Sequence, residues 1–149
     1  MDKAIEKTIK GLNTSEYQSL KSIPGIGPVL ASGILAEIGT MKSFTSHNAL
    51  AKYAGLTWRV DQSGNYTSEN TRMTKTGNKY LRYYLIEAAN CVKNHVPDYK
   101  EYYYKKFSEV KIHQHRRALA LTSRKLVRLI FSLLTKNQIY SNDKVGEIQ

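Results

Sequence analysis

Apolar residues recur at helical spacing through most of this chain, and they predict a helical domain. Ile5, Ile9 and Leu12 alternate with Lys and Glu at the start, as on the last turns of an amphipathic helix. Asn13 followed by Glu16 has the form of a capping box and predicts a helix through Leu20, with Ile23 closing its apolar face. A second helix is predicted from about Pro28 to Ile38. Val29, Leu30, Ile34, Leu35 and Ile38 form its stripe, and Gly39 stands where a terminating glycine belongs. Between the two lies the tight turn Pro24-Gly25-Ile26-Gly27, so that residues 20–39 have the pattern of a helix-hairpin-helix. Pro28 suits the first helical position, where the missing N–H costs nothing.

Phe44 is placed to anchor the next corner. Ser46 can cap a short helix through Tyr53, with Leu50 and Tyr53 inward and Gly55 at its end. Helical periodicity then disappears over residues 56–76, LTWRVDQSGNYTSENTRMTKT. A stretch of this length in a compact domain is functional or disordered. Trp58, Val60 and Tyr66 suggest an extended or hairpin-like piece around the turn 62–65. Helix returns over 77–94, with Leu81, Leu85, Ala88 and Val92 as the stripe. Pro97 opens another over 97–112, faced by Tyr99, Tyr103, Phe107 and Val110. A last helix covers 115–136, with Leu119, Leu126, Ile130 and Leu133 inward. The expected architecture is all-α, a single domain over 14–136 with a helix-hairpin-helix and one long irregular or hairpin-like insertion. Residues 1–13 read as the end of a helical linker, and 137–149 as a flexible tail.

Charge alters this picture. The chain has 149 residues and a formal net charge of +11. Up to Asn70 there are 7 basic and 6 acidic residues; from Thr71 onward there are 16 and 6. Between Arg72 and Lys136, 15 basic residues face only Glu87, Asp98, Glu101 and Glu109, too few for pairing along the helices. An anionic partner is therefore expected, with nucleic acid ahead of a membrane surface. No apolar run approaches the ~18–20 residues needed to span a bilayer, so no membrane association is expected. The start is too polar for a signal peptide, and Cys91 as the sole cysteine fits a reducing cytosol.

The hairpin turn would expose the free N–H groups of a helix start with the positive end of the helix dipole behind them, an arrangement that suits phosphate; Gly25 and Gly27 are its candidates. A corner that only packs would have the same sequence. Lys75, Lys79 and Arg82 form a basic row at i, i+4 and i+7, and Arg117, Arg124 and Arg128 another at i, i+7 and i+11. Cations at a helix start oppose the dipole, so an anionic ligand explains the first row better than a structural role. Tyr80, Tyr83, Tyr84, Tyr102 and Tyr104 are interleaved with the charges and could stack on bases or bond to phosphates.

Catalytic patterns are sparse. His113 and His115 lack the further ligands a metal site needs, His47 and His95 have no evident partners, and Cys91 reads as a buried small residue. Glu37, Asp61, Glu69 and Glu87 are too scattered for a two-metal nuclease, so no metal site is expected in this chain. Ser63 precedes Gly64 in a turn flanked by Arg59, Arg72 and Lys75, and a serine can attack phosphorus where cations stabilise the developing charge. It also needs a base or metal to take its proton, and a turn serine is ordinarily only that.

SIPGIGPVLASGILAEIG, ALAKYAGL, QSG and TRMTKTGNKYLRYYLIEAA, in this order and spacing, resemble the carboxy-terminal transposase domain of IS-110-type insertion sequences, the family also named for IS-116 and IS-902. The likeness covers about residues 20–136. It implies a part of a bridge-RNA-guided DNA recombinase, whose amino-terminal RuvC-like domain carries an acidic tetrad for Mg²⁺. That domain is not in this sequence, and with it absent little or no cutting is expected. The resemblance also implies that Ser63 is the nucleophile forming a phosphoserine link to DNA, followed by Gly64. The family's G-N-K-x-L-R region falls on Gly77, Asn78, Lys79, Leu81 and Arg82, implying contact with backbone phosphate. The expected partners are DNA, guide RNA and further copies of the full-length protein. A non-catalytic nucleic-acid-binding module, with Ser63 only a turn residue, is the alternative, and an oligomerisation domain is a weaker third.

Overall fold

The longest apolar stripe sets the architecture. In the computed structural model, which describes residues 14–58, 62–63, 66–67, 73 and 76–141, the helices in chain order are α1 (Thr14–Lys21), α2 (Pro28–Ile38), α3 (His47–Tyr53), α4 (Lys79–His95), α5 (Pro97–Ser108) and α6 (Gln114–Lys136). A 3₁₀ turn lies at Met41–Ser43, and β1 (Gln62–Ser63) and β2 (Tyr66–Thr67) make a two-stranded antiparallel ribbon. Helix α6 packs on α5, α4, α3 and α1 at once. Its expected stripe of Leu119, Leu126, Ile130 and Leu133 is buried, joined by Val127 and Leu134. The class is all-α, as the periodicity predicts.

The hairpin is wedged against α4. Gly25 has φ +104°, and a Cβ there would stand 2.8 Å from the carbonyl carbon and oxygen of Cys91. On α2, Ala31, Ile34, Leu35 and Ile38 point to the core. Gly33 lies on the other side, and the Tyr84 ring covers it, where a Cβ would come within 2.7 Å. Bare backbone thus lets α4 approach α2 closely. Val29, expected in the buried stripe, is half exposed. It stands about half a turn around the helix from Ala31 and Ile38, away from the core face.

Helix ends follow their capping residues. Ser46 Oγ accepts from the Ala49 N–H at 3.2 Å and starts α3 as predicted. Tyr53 does not turn inward: it is 40% exposed. Leu50, Ala51 and Ala54 fill the inner face, so Tyr53 lies at the edge, its ring 5.3 Å from that of Phe44. Helix α5 stops at Ser108, short of the expected 112. Gln114 Nε2 donates to the carbonyls of Phe107 and Val110 at 3.2 and 2.9 Å, taking up acceptors that another helical turn would have used. His113 then turns with φ 55° into α6. Beyond α6, the Tyr140 N–H donates to Ser22 Oγ at 2.8 Å, tying residues 137–141 back to the end of α1. The expected linker, 1–13, and the rest of the expected tail, 142–149, lie outside the described residues.

The insertion pairs with itself. Gln62 faces Thr67 and Ser63 faces Tyr66, and an isolated antiparallel bridge joins Trp58 to Met73 nearer the helical body. This is the hairpin-like piece predicted around 62–65.

Candidate nucleic-acid interface

The start of α4 separates residues that hold the fold from residues that face solvent. Gly77 has φ +102°, and a Cβ there would collide with the Tyr53 carbonyl oxygen. That oxygen accepts from the Asn78 N–H at 2.7 Å. Asn78 Oδ1 accepts from the N–H groups of Tyr80 and Leu81 at 2.9 and 3.1 Å, so Asn78 is the N-cap of α4. Its Nδ2 donates to Glu37 Oε2 at 2.9 Å and to the Tyr53 hydroxyl at 3.2 Å, which ties α4 to α2 and α3. Arg82 donates from Nη1 to the Ala54 carbonyl at 3.3 Å. Lys79 is exposed, its Nζ 5.2 Å from the Tyr80 ring centre. Tyr80 and Tyr83 beside it are about 60% exposed.

At the other end of the hairpin the two candidate glycines part company. Gly25 is held against α4, whereas a Cβ on Gly27 would meet nothing within 4 Å. Gly27 is the N-cap of α2 and has no side chain to bond its first N–H groups, and Pro28 and Val29 are exposed. That turn is open to solvent.

The three candidate arginines of α6, Arg117, Arg124 and Arg128, do not act as one row. Arg117 Nη1 donates to the Lys106 carbonyl at 3.0 Å and pairs with Glu109 Oε1 at 3.1 Å; Glu109 also pairs with Lys106 Nζ at 3.2 Å. Arg124 instead reaches α3: its Nη2 donates to His47 Nδ1 at 3.0 Å and to Asn48 Oδ1. Arg128 is exposed and takes part in none of the three ion pairs among the described residues. Burial lowers the proton affinity of the Arg124 guanidinium, and Arg128 adds to that. Burial also holds His47 below the ordinary imidazole value, and Arg124 and Arg128 push it further down. The sequence offers His47 no partner because the partner is 77 positions away.

Several cations that the sequence leaves without acidic partners rest on tyrosine rings. Lys125 Nζ lies 5.2 and 4.8 Å from the ring centres of Tyr99 and Tyr102 and 3.0 Å from Asp98 Oδ2. Lys106 shares Tyr102 at 5.4 Å, and Lys93 lies 4.7 Å from Tyr103. Of the five interleaved tyrosines, Tyr84 packs on Gly33 and Tyr102 holds lysines, while Tyr80, Tyr83 and Tyr104 present rings to solvent. His115 Nδ1 and the Tyr103 hydroxyl share a hydrogen bond. Among the described residues no group of three or more His, Cys, Asp or Glu side chains could hold a metal ion. Nor does any described helix have the length and apolarity to cross a membrane.

Ser63 is in β1, opposite Tyr66. Arg59, Gly64, Arg72 and Lys75, the other candidates of this segment, lie outside the described residues.

The model of the transposase IS116/IS110/IS902 family matches residues 17–104. The transposase for insertion sequence element IS1111A of Coxiella burnetii is 31% identical over 128 residues, covering 84% of this chain and 34% of that protein. An uncharacterised protein of insertion element IS116 from Streptomyces clavuligerus is 26% identical over 140 residues, 94% of this chain and 34% of its own length. The pilin gene-inverting protein of Moraxella bovis is 31% identical over 120 residues, 80% of this chain and 37% of that protein. The chain thus spans about a third of the length of the curated relatives it matches. With the family model covering the hairpin, the insertion and the start of α4 through α5, this chain belongs to the IS116/IS110/IS902 transposase family.

Proposed function

We propose that this chain is the DNA-gripping and serine-bearing part of a DNA transposase. In this reading the open first turn of α2, Lys79 and Arg128 of α6 hold nucleic-acid backbone, DNA first and guide RNA as a second ligand. Ser63 supplies the nucleophile. Its Oγ forms a new bond to phosphorus as the bond from that phosphorus to a deoxyribose oxygen breaks. The number of phosphodiester linkages is conserved, and the leaving oxygen takes up a proton equivalent to the one the serine loses. The base and the Mg²⁺ for that transfer belong to a RuvC-like domain, and the working protein is an oligomer. The observation that carries the reading is the family match, combined with a short ribbon that bears Ser63 and precedes the basic start of α4 along the chain.

Two experiments test it. Affinity of the chain for duplex DNA should fall with salt, with a log–log slope near −0.9 for each phosphate contacted. Absent or salt-insensitive binding overturns the grip. Joined to the RuvC-like domain and given Mg²⁺, the protein should leave a denaturation-resistant protein–DNA adduct that Ser63→Ala abolishes. An adduct that survives Ser63→Ala assigns the nucleophile elsewhere and leaves the binding module as the better account.

A further inference from the structure

We infer that His47, Arg124 and Arg128 form a subsite for one phosphate group, in which His47 changes from acceptor for Arg124 into a second donor when the anion arrives. The inference rests on the reading above, which makes that phosphate part of a nucleic-acid backbone.

The geometry starts with Arg124. Its Nη2 donates to His47 Nδ1 at 3.0 Å and to Asn48 Oδ1, while its Nη1 is buried with no acceptor. Accepting at Nδ1 requires His47 to be neutral, with its proton on Nε2. Arg128 lies one turn farther along α6, so the two guanidiniums share a helix face. No carboxylate pairs with either among the described residues, since the ion pairs there use Lys106, Arg117 and Lys125. The other group set against Arg124 is the Tyr102 phenol of α5. Two cations and a histidine therefore meet at the junction of α3 and α6 with no negative charge among them. Asn48 and Arg128 are exposed, so the cluster is open to a ligand.

In the free protein a proton on His47 Nδ1 would point at a guanidinium. Burial and both arginines oppose that proton. A phosphate between the three side chains reverses the balance: Arg124, Arg128 and the His47 Nδ1–H can all donate to its oxygens. Binding at this subsite must then take up a proton, and affinity must rise as pH falls through the imidazole range near ~6.5.

The test follows the four imidazoles by NMR, with the His47 signal assigned by its loss in His47→Asn. A short duplex DNA and inorganic phosphate are the probes. The titration midpoint of His47 should move upward on adding the duplex. DNA affinity should increase at lower pH, and His47→Asn should flatten that increase. Arg128→Gln, at an exposed position, should fold normally and reduce the salt slope by about 0.9. Bound DNA with an unmoved His47 midpoint, or an unchanged pH dependence in His47→Asn, overturns the subsite while the DNA-binding reading stands. If no DNA binds, that reading fails and inorganic phosphate decides the subsite. An upward shift of His47 with phosphate supports it, and no shift overturns it.

Discussion

Gly25 and Gly27 answer to different forces although two positions separate them. Gly25 combines φ +104° with contact against the α4 backbone at Cys91 and Val92. Gly25→Ala should therefore destabilise the chain by about 1–3 kcal/mol through backbone strain, plus whatever the hairpin loses by backing off α4. A thermal or urea melt measures this. Gly27 has extended backbone, φ −92° and ψ −174°, and open space where a side chain would go. Gly27→Ser should fold as well as the parent or a few tenths of a kcal/mol better, because a serine at an N-cap satisfies an N–H group. It should also weaken DNA binding if those N–H groups hold phosphate. Undiminished binding by a stable Gly27→Ser protein would remove the hairpin from the grip. The sequence marks both glycines as a turn. Only the packed chain distinguishes them, because Cys91 comes from another helix.

At the level of elements, the region matching the family's G-N-K-x-L-R motif is a joint between three helices as well as part of a surface. Asn78 caps α4 through Oδ1 and reaches Glu37 and Tyr53 through Nδ2, so both ends of its amide are engaged. Asn78→Ala should cost about 0.5–2 kcal/mol for the lost cap. The unpaired Glu37 adds to that cost. Asn78→Asp keeps an acceptor for the cap but sets a carboxylate against Glu37. Its melting temperature should fall as pH rises through the ordinary carboxylate range, a trend the parent should not share. Equal pH profiles for the two proteins would show that the Glu37 contact is not formed in solution. The periodicity located α4 and its stripe well, and it identified the Ser46 cap of α3. It started α4 two residues early and ran α5 past Ser108. Those ends are fixed by side chains from elsewhere, Tyr53 at one and Gln114 at the other, and helical spacing carries no information about them. The hairpin character of the insertion was legible from its turn residues, while the bridge between Trp58 and Met73 was not.

Across the whole molecule, formal charge overstates the number of cations available to a ligand. The excess of Lys and Arg after Thr71 was plain in the sequence, and so was the shortage of acids. What the sequence hid is that tyrosine rings work together with the few acids: Lys125 lies over Tyr99 and Tyr102 beside Asp98, and Lys106 shares Tyr102 while pairing with Glu109. A cation over an aromatic face gains about 0.5–2 kcal/mol, and it gives up part of that contact if it turns to a phosphate. Lys79 and Arg128 hold no ion pair among the described residues and both are exposed; the one ring Lys79 touches, Tyr80, is itself exposed. The two classes should separate in one experiment. Lys79→Gln and Arg128→Gln should each lower the magnitude of the DNA salt slope by about 0.9 with little change in melting temperature. Lys125→Gln should lower the melting temperature, because it removes an ion pair and two ring contacts, and should leave the slope nearly unchanged. If instead all three changed the slope alike, the lysines on the rings would be leaving them to reach DNA, and the contact surface would extend over α5 and α6 as well as the start of α4.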